Sequence, residues 1–444
     1  MHAHRKQLIS LAHPVYFSLL ASVAAGIINT VWVSRLGGDA VAAVAVATNT
    51  ENVLLGVAMV FASGTTVLVA HARGARDPAA VRAAVRGGWT LCALITPAVA
   101  IGGFLLREPL ARLVLGDQEG GALPLAVAYF AISLPGTAVF FVQQLVDGLL
   151  KGTGDTRTPM RLALLAGGLI LVCDPLFIHL YGVQGAAAST VLCRTVALGA
   201  GLLALRRNAL LRAAAGERAP WYPTAVLRTG LPMAADFTIR QGGALVLVAI
   251  VARIGVTAVA AYAIAYKVMY VATMAFYAVR QAASIHTAHT RGTGTDARRA
   301  IARQAVLVSG ITGLTAAALL ALTAPWIMAA FGAGPDVAHE GVLFLRGIGP
   351  YLLLMACFIA LGGVFEGSGG APLLLRVTVA GTALQLPLAH ALSGLGLPGI
   401  CLAMALAMAG QCAAVTVALL RSGPRRAEPA RVQEETGVSS ARSA

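Results

Sequence analysis

Ten charged side chains stand inside long apolar stretches of this sequence. They are Glu51, Asp147, Asp174, Asp236, Glu366, Arg194, Arg240, Lys267, Arg280 and Arg346. On insertion scales, each charge inside a bilayer costs about 2.5–3.5 kcal/mol, so such side chains commonly relay ions or protons or contact charged cargo. The acids are therefore candidates for binding a coupling ion, and the bases are candidates for contacting an anionic group.

The composition identifies the elements that carry these charges. Of the 444 residues, 58% are hydrophobic and 11% are charged, whereas about 25% of the residues of a soluble protein are charged. A helix of about 20 apolar residues crosses a bilayer and satisfies its own backbone groups. The sequence therefore predicts an all-α polytopic membrane protein with twelve transmembrane helices. The predicted spans are 13–36, 42–70, 87–106, 122–150, 159–182, 184–205, 229–254, 258–288, 302–331, 340–366, 372–395 and 397–421.

The placement of the basic residues argues against a nucleic-acid partner, although the net charge is +15. The termini and alternate connections hold 24 Arg and Lys residues, and the other connections hold only Arg35, Arg107, Arg112 and Arg253. The positive-inside rule then places both termini in the cytoplasm. We expect a multi-pass protein of the bacterial inner membrane, with a polar, disordered tail at 422–444.

No catalytic or metal-binding motif accompanies the apolar spans. The six cysteines all fall inside the spans and form no CxxC or Cys/His cluster, which predicts neither a disulfide framework nor a metal site. The sequence also lacks HExxH, GxSxG and a nucleotide-binding loop. We therefore expect a protein that is not an enzyme, has no cofactor and does not pump by hydrolysing ATP itself.

The chain repeats itself at an offset of 218 residues. "SRLGGDAVAAVAVA" at 34–47 returns as "ARIGVTAVAAYAIA" at 252–265. The same offset relates Pro14 to Pro232 and Gly74 to Gly292, and an offset of 215 relates Pro135 to Pro350 later in the chain. Because one repeat holds six spans, both halves start on the same side of the membrane, as in parallel-repeat transporters. This predicts two six-helix lobes, 1–205 and 229–421, joined by a linker at 206–228 and related by a pseudo-twofold axis along the membrane normal.

Three stretches resemble the multidrug and toxic compound extrusion (MATE) family. They are "LAHPVYFSLLASVAAGIINTVWVSRLG" at 11–37, "GLLKGTGDTRTPM" at 148–160 and "CDPLFIHLYGVQGAAASTV" at 173–191. The resemblance covers nearly the whole chain. It implies an antiporter that exports organic small molecules by alternating access, driven by a proton or sodium gradient. We expect a monomer in the lipid bilayer.

The resemblance also suggests where a coupling ion binds. In the proton-coupled branch of the family, an acid in the first helix works with an acid in the fifth. The first position holds Asn29 here, and the second matches Asp174. Asp174 is therefore the first coupling candidate, because burial favours the neutral, protonated form of a carboxyl; Glu51 is the second. The alternative for both is a structural hydrogen-bonding role. In the sodium-coupled branch a glutamate commonly occupies the position that holds Arg240 here, and a cation there would repel sodium.

Other polar residues are candidates for contacting the substrate. They are Asp236, Arg240, Lys267, Gln143, Gln144, Asp147, Tyr277 and Arg280. Since Asp236 and Arg240 are four residues apart, they can pair on one helix face, which leaves a purely structural role open. Lys267 and Arg280 cannot share a face, and both can instead extend towards water. Asp147 can pair with Lys151, and Tyr277 can be ordinary packing. If the deep cations contact cargo, the substrate bears a carboxylate or another anionic group.

Two further hypotheses concern motion and rival functions. Pro14 and Pro232 are the expected points at which the first and seventh helices bend. A flippase for lipid-linked sugar or diphosphate intermediates is one rival, although flippases of this two-lobe plan usually have fourteen spans. A non-transporting membrane scaffold is the other rival, and it would have little reason to keep so many charges inside the bilayer.

Overall fold

The computed structural model describes residues 2–115, 121–213 and 223–421, and every regular element within those ranges is a helix. The helices are α1 His2–Val33, α2 Gly38–Gly74, α3 Pro78–Leu105, α4 Arg107–Leu115, α5 Ala122–Gly152, α6 Arg157–Arg207, α7 Ala209–Ala213, α8 Pro223–Ala252, α9 Val256–Gly292, α10 Arg298–Ala330, α11 Pro335–Gly347, α12 Gly349–Gly367, α13 Ala371–Leu392 and α14 Leu397–Arg421. The predicted tail at 422–444 and the central part of the predicted linker, 214–222, lie outside the described residues.

The prediction of a twelve-helix membrane protein is confirmed. Within the described ranges, eleven helices are long and apolar enough to cross a membrane. The twelfth crossing arises because α6 reverses direction at Gly182, whose φ of 58° and ψ of −135° suit a residue without a Cβ. The predicted span 340–366 differs from the structure in one respect: it is two helices, α11 and α12, that meet at Ile348. Pro350 follows this break and has no N–H for the hydrogen bond of a continuous helix.

The "GTGDTRTP" stretch forms a turn between α5 and α6. The Asp155 carboxylate accepts hydrogen bonds from the backbone N–H groups of Arg157 and Thr158, so it caps the start of α6. Gly154 supplies the positive φ of 85° that the turn requires. Arg73, at the end of α2, donates a hydrogen bond to the carbonyl oxygen of Thr153. The motif thus serves local geometry and anchors α5 to α2.

The second lobe repeats this anchor. Arg291, at the end of α9, donates to the carbonyl oxygen of Ser368 over 2.6 Å. Arg291 is 218 residues after Arg73, and Ser368 is 215 residues after Thr153, the two offsets found in the sequence. The internal repeat is therefore also a repeat of side-chain contacts.

The two lobes meet where α2 and α9 end, at what we call the basic end of the bundle because most Arg and Lys residues lie there. Gly74 and Gly292 face each other at this crossing. A Cβ on Gly74 would lie 2.0 Å from the carbonyl oxygen of His289, and a Cβ on Gly292 would lie 2.0 Å from that of His71. The two distances match because each pair is the pseudo-twofold copy of the other. Only glycine allows the helices to approach so closely.

Further contacts between the lobes also lie in the halves of the helices nearer the basic end. Leu8, Leu11 and Val15 of α1 belong to the same apolar core as α9. Nδ1 of His4 lies 2.9 Å from Nε2 of His286. These contacts hold the lobes together over the basic half of the molecule.

The lobes separate towards the opposite end. Gly37 and Gly255, which are equivalent in the repeat, begin α2 and α9 there, and a Cβ on either would meet nothing within 4 Å. The buried apolar cluster at this end runs from Val33 to Ala187 and contains residues of the first lobe only. Among the described residues, the cleft between the lobes is thus closed at the basic end, and the buried clusters that the lobes share contain no residue from the other end of the first lobe.

Candidate functional site

Asp174 is the centre of a polar site inside the first lobe. Its side chain is completely buried. It accepts one hydrogen bond from Nδ2 of Asn29 over 2.9 Å and another from the Ser189 hydroxyl over 2.6 Å. Asn29 comes from α1, and Ser189 reaches Asp174 because α6 reverses at Gly182. Both partners are neutral, so Asp174 has no cation beside it among the described residues.

A small open pocket lies beside this site, between α2, α5 and α6 of the first lobe. The lining residues are Glu51, Leu54, Tyr129, Ser133, Gly136, Thr137, Phe140, Ala187, Thr190, Val191 and Arg194. Nη2 of Arg194 lies 3.2 Å from Oε2 of Glu51, and the guanidinium also lies 5.1 Å from the centroid of the Phe140 ring. Arg194 on α6 is therefore the partner of Glu51 among the described residues.

Tyr129 lies near both coupling candidates of the first lobe, Asp174 and Glu51. This buried side chain on α5 interacts electrostatically with Glu51, Arg194 and Asp174. The first two coupling candidates therefore share one neighbourhood, together with Asn29. They differ in their partners, because Glu51 is paired with a cation and Asp174 is not.

The remaining polar candidates of the first lobe lie on α5, in the half of that helix nearer the basic end. Gln143, Gln144 and Asp147 are each partly buried. The Oδ1 atom of Asp147 is buried and has no hydrogen-bond partner among the described residues. Lys151 is one turn away but forms no ion pair with Asp147 in this part of the chain. Whether these three residues contact a substrate stays a prediction.

The second lobe contains a buried network of four charges. Asp236 on α8 accepts from Nη2 of Arg240 over 2.9 Å, as the spacing of four residues predicts, and from Nη2 of Arg280 over 2.7 Å. Arg280 also donates to Glu366 on α12 over 2.6 Å. The Thr378 hydroxyl on α13 donates to Asp236 over 2.5 Å. The two acids and two bases thus tie three helices together, and the Thr378 hydroxyl adds the fourth.

This network changes the interpretation of three residues. Arg280 is 6% exposed, so it does not extend to water, the alternative that the sequence left open, and Glu366 is 4% exposed. Both positive charges of the network are matched by carboxylates. Neither Arg240 nor Arg280 is therefore free to bind an anion unless an acid is displaced, and their assignment as substrate contacts stays a prediction that the geometry does not favour.

Lys267 has a different environment on α9. Its side chain is exposed, and it forms no ion pair or hydrogen bond with any described residue. Tyr277, one of the predicted substrate contacts, is partly buried. Of its apolar neighbours, Met269, Met274 and Phe276 are at most 5% exposed, so these three belong to the packing of the lobe.

The two prolines lie inside helices that remain continuous in this conformation. Pro14 is within α1, and Pro232 is within α8. Each removes one backbone N–H from its helix and weakens the hydrogen bonding there. Their predicted role in bending stays a prediction.

Comparison with known proteins decides the family. The MatE family model matches residues 14–176 and 232–390, one match for each lobe. The chain belongs to the MatE family. MATE proteins are transporters, which excludes an enzyme and confirms the resemblance drawn from the sequence.

Individual relatives support the same assignment. The chain is 24% identical to the probable multidrug resistance protein YpnP of Bacillus subtilis (strain 168) over 297 residues, 66% of each chain. It is 26% identical to a protein named as the FAD transporter of Shewanella oneidensis over 313 residues, 68% of each chain. The MATE relatives indicate that this family member is a membrane transporter of small molecules.

Solved structures share the fold. A MOP superfamily transporter from Pyrococcus furiosus has a TM-score of 0.83 and 22% sequence identity, over 94% of both chains. This similarity confirms the twelve-helix, two-lobe architecture.

Proposed function

We propose that this MATE protein is a secondary antiporter that exports organic small molecules in exchange for protons taken up at Asp174. One observation carries the proposal: Asp174 is a fully buried acid that has only neutral hydrogen-bond partners. The acids of the second lobe, and Glu51 in the first, face guanidinium groups that favour their charged forms. Asp147 also forms no ion pair among the described residues, but the charge of Lys151 acts on it from one turn away. Asp174 combines complete burial with hydrogen bonds from neutral groups of two other segments, so it is the deep acid that we propose alternates between charged and neutral states.

The hydrogen-bond geometry shows which contacts of Asp174 change when it binds a proton. As a carboxylate, Asp174 accepts from both Asn29 and Ser189. After protonation, one of its oxygens becomes a donor and needs an acceptor. The Ser189 hydroxyl can rotate to accept, whereas the Asn29 amino group cannot accept at all. A proton on Oδ1 can therefore be donated to Ser189, while the bond from Asn29 to Oδ2 changes from a charge-assisted to a weaker neutral hydrogen bond, which loosens the contact with α1.

Helix α1 can carry this change to the contact between the lobes. Asn29 is near one end of α1, and Leu8, Leu11 and Val15 at the other end pack into the core of the second lobe. Pro14 lies among these packing residues. A proton can shift the balance between conformations only by its difference in affinity for them. The Asn29 contact supplies such a difference if it forms in one conformation and breaks in the other.

The basic end of the bundle faces the cytoplasm in this proposal, in accord with the positive-inside rule. Both termini then lie in the cytoplasm of a bacterium, and the protein resides in the inner membrane. The conformation described here is closed to the cytoplasm and open to the outside, the state that releases substrate and takes up a proton. The lobe boundaries at 1–205 and 229–421 and the monomeric state stay predictions.

We infer further that the substrate carries an anionic group. The support is Lys267, an exposed cation with no partner among the described residues. One relative is also named for FAD, a dinucleotide with a negatively charged diphosphate. The flippase hypothesis gains no support, because the buried arginines that suggest a diphosphate site are neutralised by Asp236 and Glu366.

The test is transport by purified protein in liposomes with pH and sodium gradients imposed separately. Wild-type protein should export a panel of organic anions when only the pH gradient is present. Asp174→Asn should keep its melting temperature and substrate binding and lose export driven by the pH gradient. Asp296→Asn makes the same chemical change in the exposed turn before α10 and should leave export unchanged.

Two results would overturn the proposal. Full export by Asp174→Asn under a pH gradient would show that the coupling proton binds elsewhere. Export by wild-type protein that responds only to the sodium gradient would replace the proton with sodium as the coupling ion.

A further inference from the structure

Lys267 lies on the side of α9 that faces the first lobe. It precedes Gly292 by 25 residues, about seven turns at 3.6 residues per turn, so both residues share one side of this helix. Gly292 contacts the end of α2 across the pseudo-twofold axis. Since α9 contains no proline, the same side of the helix faces the first lobe at Lys267, where the side chain is exposed.

Lys267 lies inside α9 rather than at its end. The residue is 11 positions from the start of α9 at Val256. At 1.5 Å per residue, this is about 16 Å along the helix axis, more than a lysine side chain can span. Its ammonium group is exposed and has no counter-charge among the described residues.

Tyrosine rings flank Lys267 on the same helix. Tyr266 and Tyr270 are one turn apart and are 37% and 41% exposed. Tyr266 stacks on Tyr262 with a centroid distance of 5.9 Å and an angle of 25° between the rings. Tyr277 continues the stripe two turns below Tyr270. These rings are too deep and too extended along the helix for an aromatic belt at the membrane interface.

The stripe borders the interior of the second lobe on one side, where Tyr262 is buried. The Tyr351 hydroxyl, on α12, interacts electrostatically with Tyr266, Tyr277 and Arg240. The rings thus line the wall between the cleft and the buried charge network. That wall offers flat aromatic surfaces beside a cation whose charge is not compensated, whereas the network behind it is neutral overall.

We propose that Lys267, Tyr266 and Tyr270 form a binding site for planar aromatic anions. The anionic group, a carboxylate or sulfonate, pairs with the Lys267 ammonium, and the ring lies against the exposed tyrosines. Aromatic side chains pair with other rings by offset or edge-to-face contacts, and a hydrogen bond to a charged group is stronger than one between neutral groups. This site specifies the substrate class and rests on the proposed export function.

Equilibrium binding to the purified full-length protein tests this site without any gradient. Naphthalene-2-carboxylate is the main probe. Naphthalene-2-carboxamide lacks the charge, and decahydronaphthalene-2-carboxylate lacks the aromatic ring. Titration calorimetry should give the acid probe the highest affinity of the three for the wild-type protein.

The variants separate the two parts of the site. Lys267→Gln should weaken binding of naphthalene-2-carboxylate about tenfold, the order expected for a hydrogen bond to a charged group, and leave the carboxamide unaffected. Tyr270→Leu should remove the preference for the aromatic acid over its decahydro analogue, and Tyr270→Phe should retain it. Lys6→Gln, at the exposed basic end of α1, is the matched control and should bind like wild type.

The site would be refuted if wild type did not bind naphthalene-2-carboxylate, if Lys267→Gln bound it as tightly as wild type, or if the decahydro analogue bound equally well. These results do not depend on coupling, because no gradient is present. Failure of the Asp174→Asn transport test would therefore leave this binding result intact, and the reverse also holds.

Discussion

Replacing Gly74 or Gly292 with alanine should open the basic end of the transporter. In the described conformation, a Cβ at either position would lie 2.0 Å from a backbone carbonyl oxygen of the opposite lobe. Real Cβ contacts essentially never fall below 3.0 Å. Because the obstacle is backbone, no side chain can move aside, and α2 and α9 must separate by about 1 Å or more.

The steric clash destabilises only the conformation in which α2 and α9 cross at these glycines. Overpacking a tight contact costs roughly 1–3 kcal/mol. With 1.4 kcal/mol for each factor of ten, a cost of about 2 kcal/mol lowers the ratio of closed to open states about 30-fold. Since Gly74 and Gly292 are pseudo-twofold equivalents, the two variants should give nearly the same shift.

Distances between pairs of spin labels can measure this shift in protein whose native cysteines have been replaced. Labels at Ala79 and Thr295 report on the basic end, and labels at Ser34 and Val256 report on the opposite end. Either glycine variant should lengthen the first distance and shorten the second. Gly310→Ala on α10 is the control, because a Cβ there would meet nothing within 4 Å.

Wild-type distances in both glycine variants, with unchanged melting temperatures, would refute the reasoning. An equal shift in Gly310→Ala would refute it as well, because the effect would then not arise at the crossing.

Three further outcomes are expected. Glu366→Gln should destabilise the detergent-solubilised protein by about 3–5 kcal/mol, because it removes a carboxylate that a buried Arg280 requires; a shift in thermal unfolding measures this. Gly182→Ala should cost about 1–3 kcal/mol, because α6 reverses at a φ that favours glycine, and the same unfolding assay applies. The hydrogen bond from Arg298 lowers the pKa of Asp296 in the turn before α10. The pair therefore stabilises the fold above the ordinary pKa of an aspartate and loses that effect as pH falls through the lowered value; Asp296→Asn should remove this pH dependence at a cost below about 1 kcal/mol.

Much of the architecture follows from patterns that are local in the sequence. Hydropathy predicts the spans, and the 218-residue offset predicts that Gly74 and Gly292 are equivalent before any contact between them is known. The spacing of Asp236 and Arg240 predicts their ion pair, because residues four apart share a helix face. Each of these inferences needs only helix geometry and a comparison of the chain with itself.

Contacts between distant parts of the chain could not be predicted in this way. Arg280 and Glu366 are 86 residues apart, and nothing in a single sequence indicates that α9 and α12 place them together. Ser189 reaches Asp174 only because α6 reverses at Gly182. The burial of Glu366 and of Asp174 therefore depends on tertiary packing, which the positions of the spans do not reveal.

The balanced charges of the second lobe have an electrical consequence. Moving one elementary charge through a membrane potential of 100 mV involves about 2.3 kcal/mol. The network of Asp236, Arg240, Arg280 and Glu366 contains two charges of each sign held by direct contacts, so a rigid rotation of this lobe carries no net charge of the network through the field. Voltage then acts on the cycle through Lys267, the acids of the first lobe and the cargo, and not through the four-charge network.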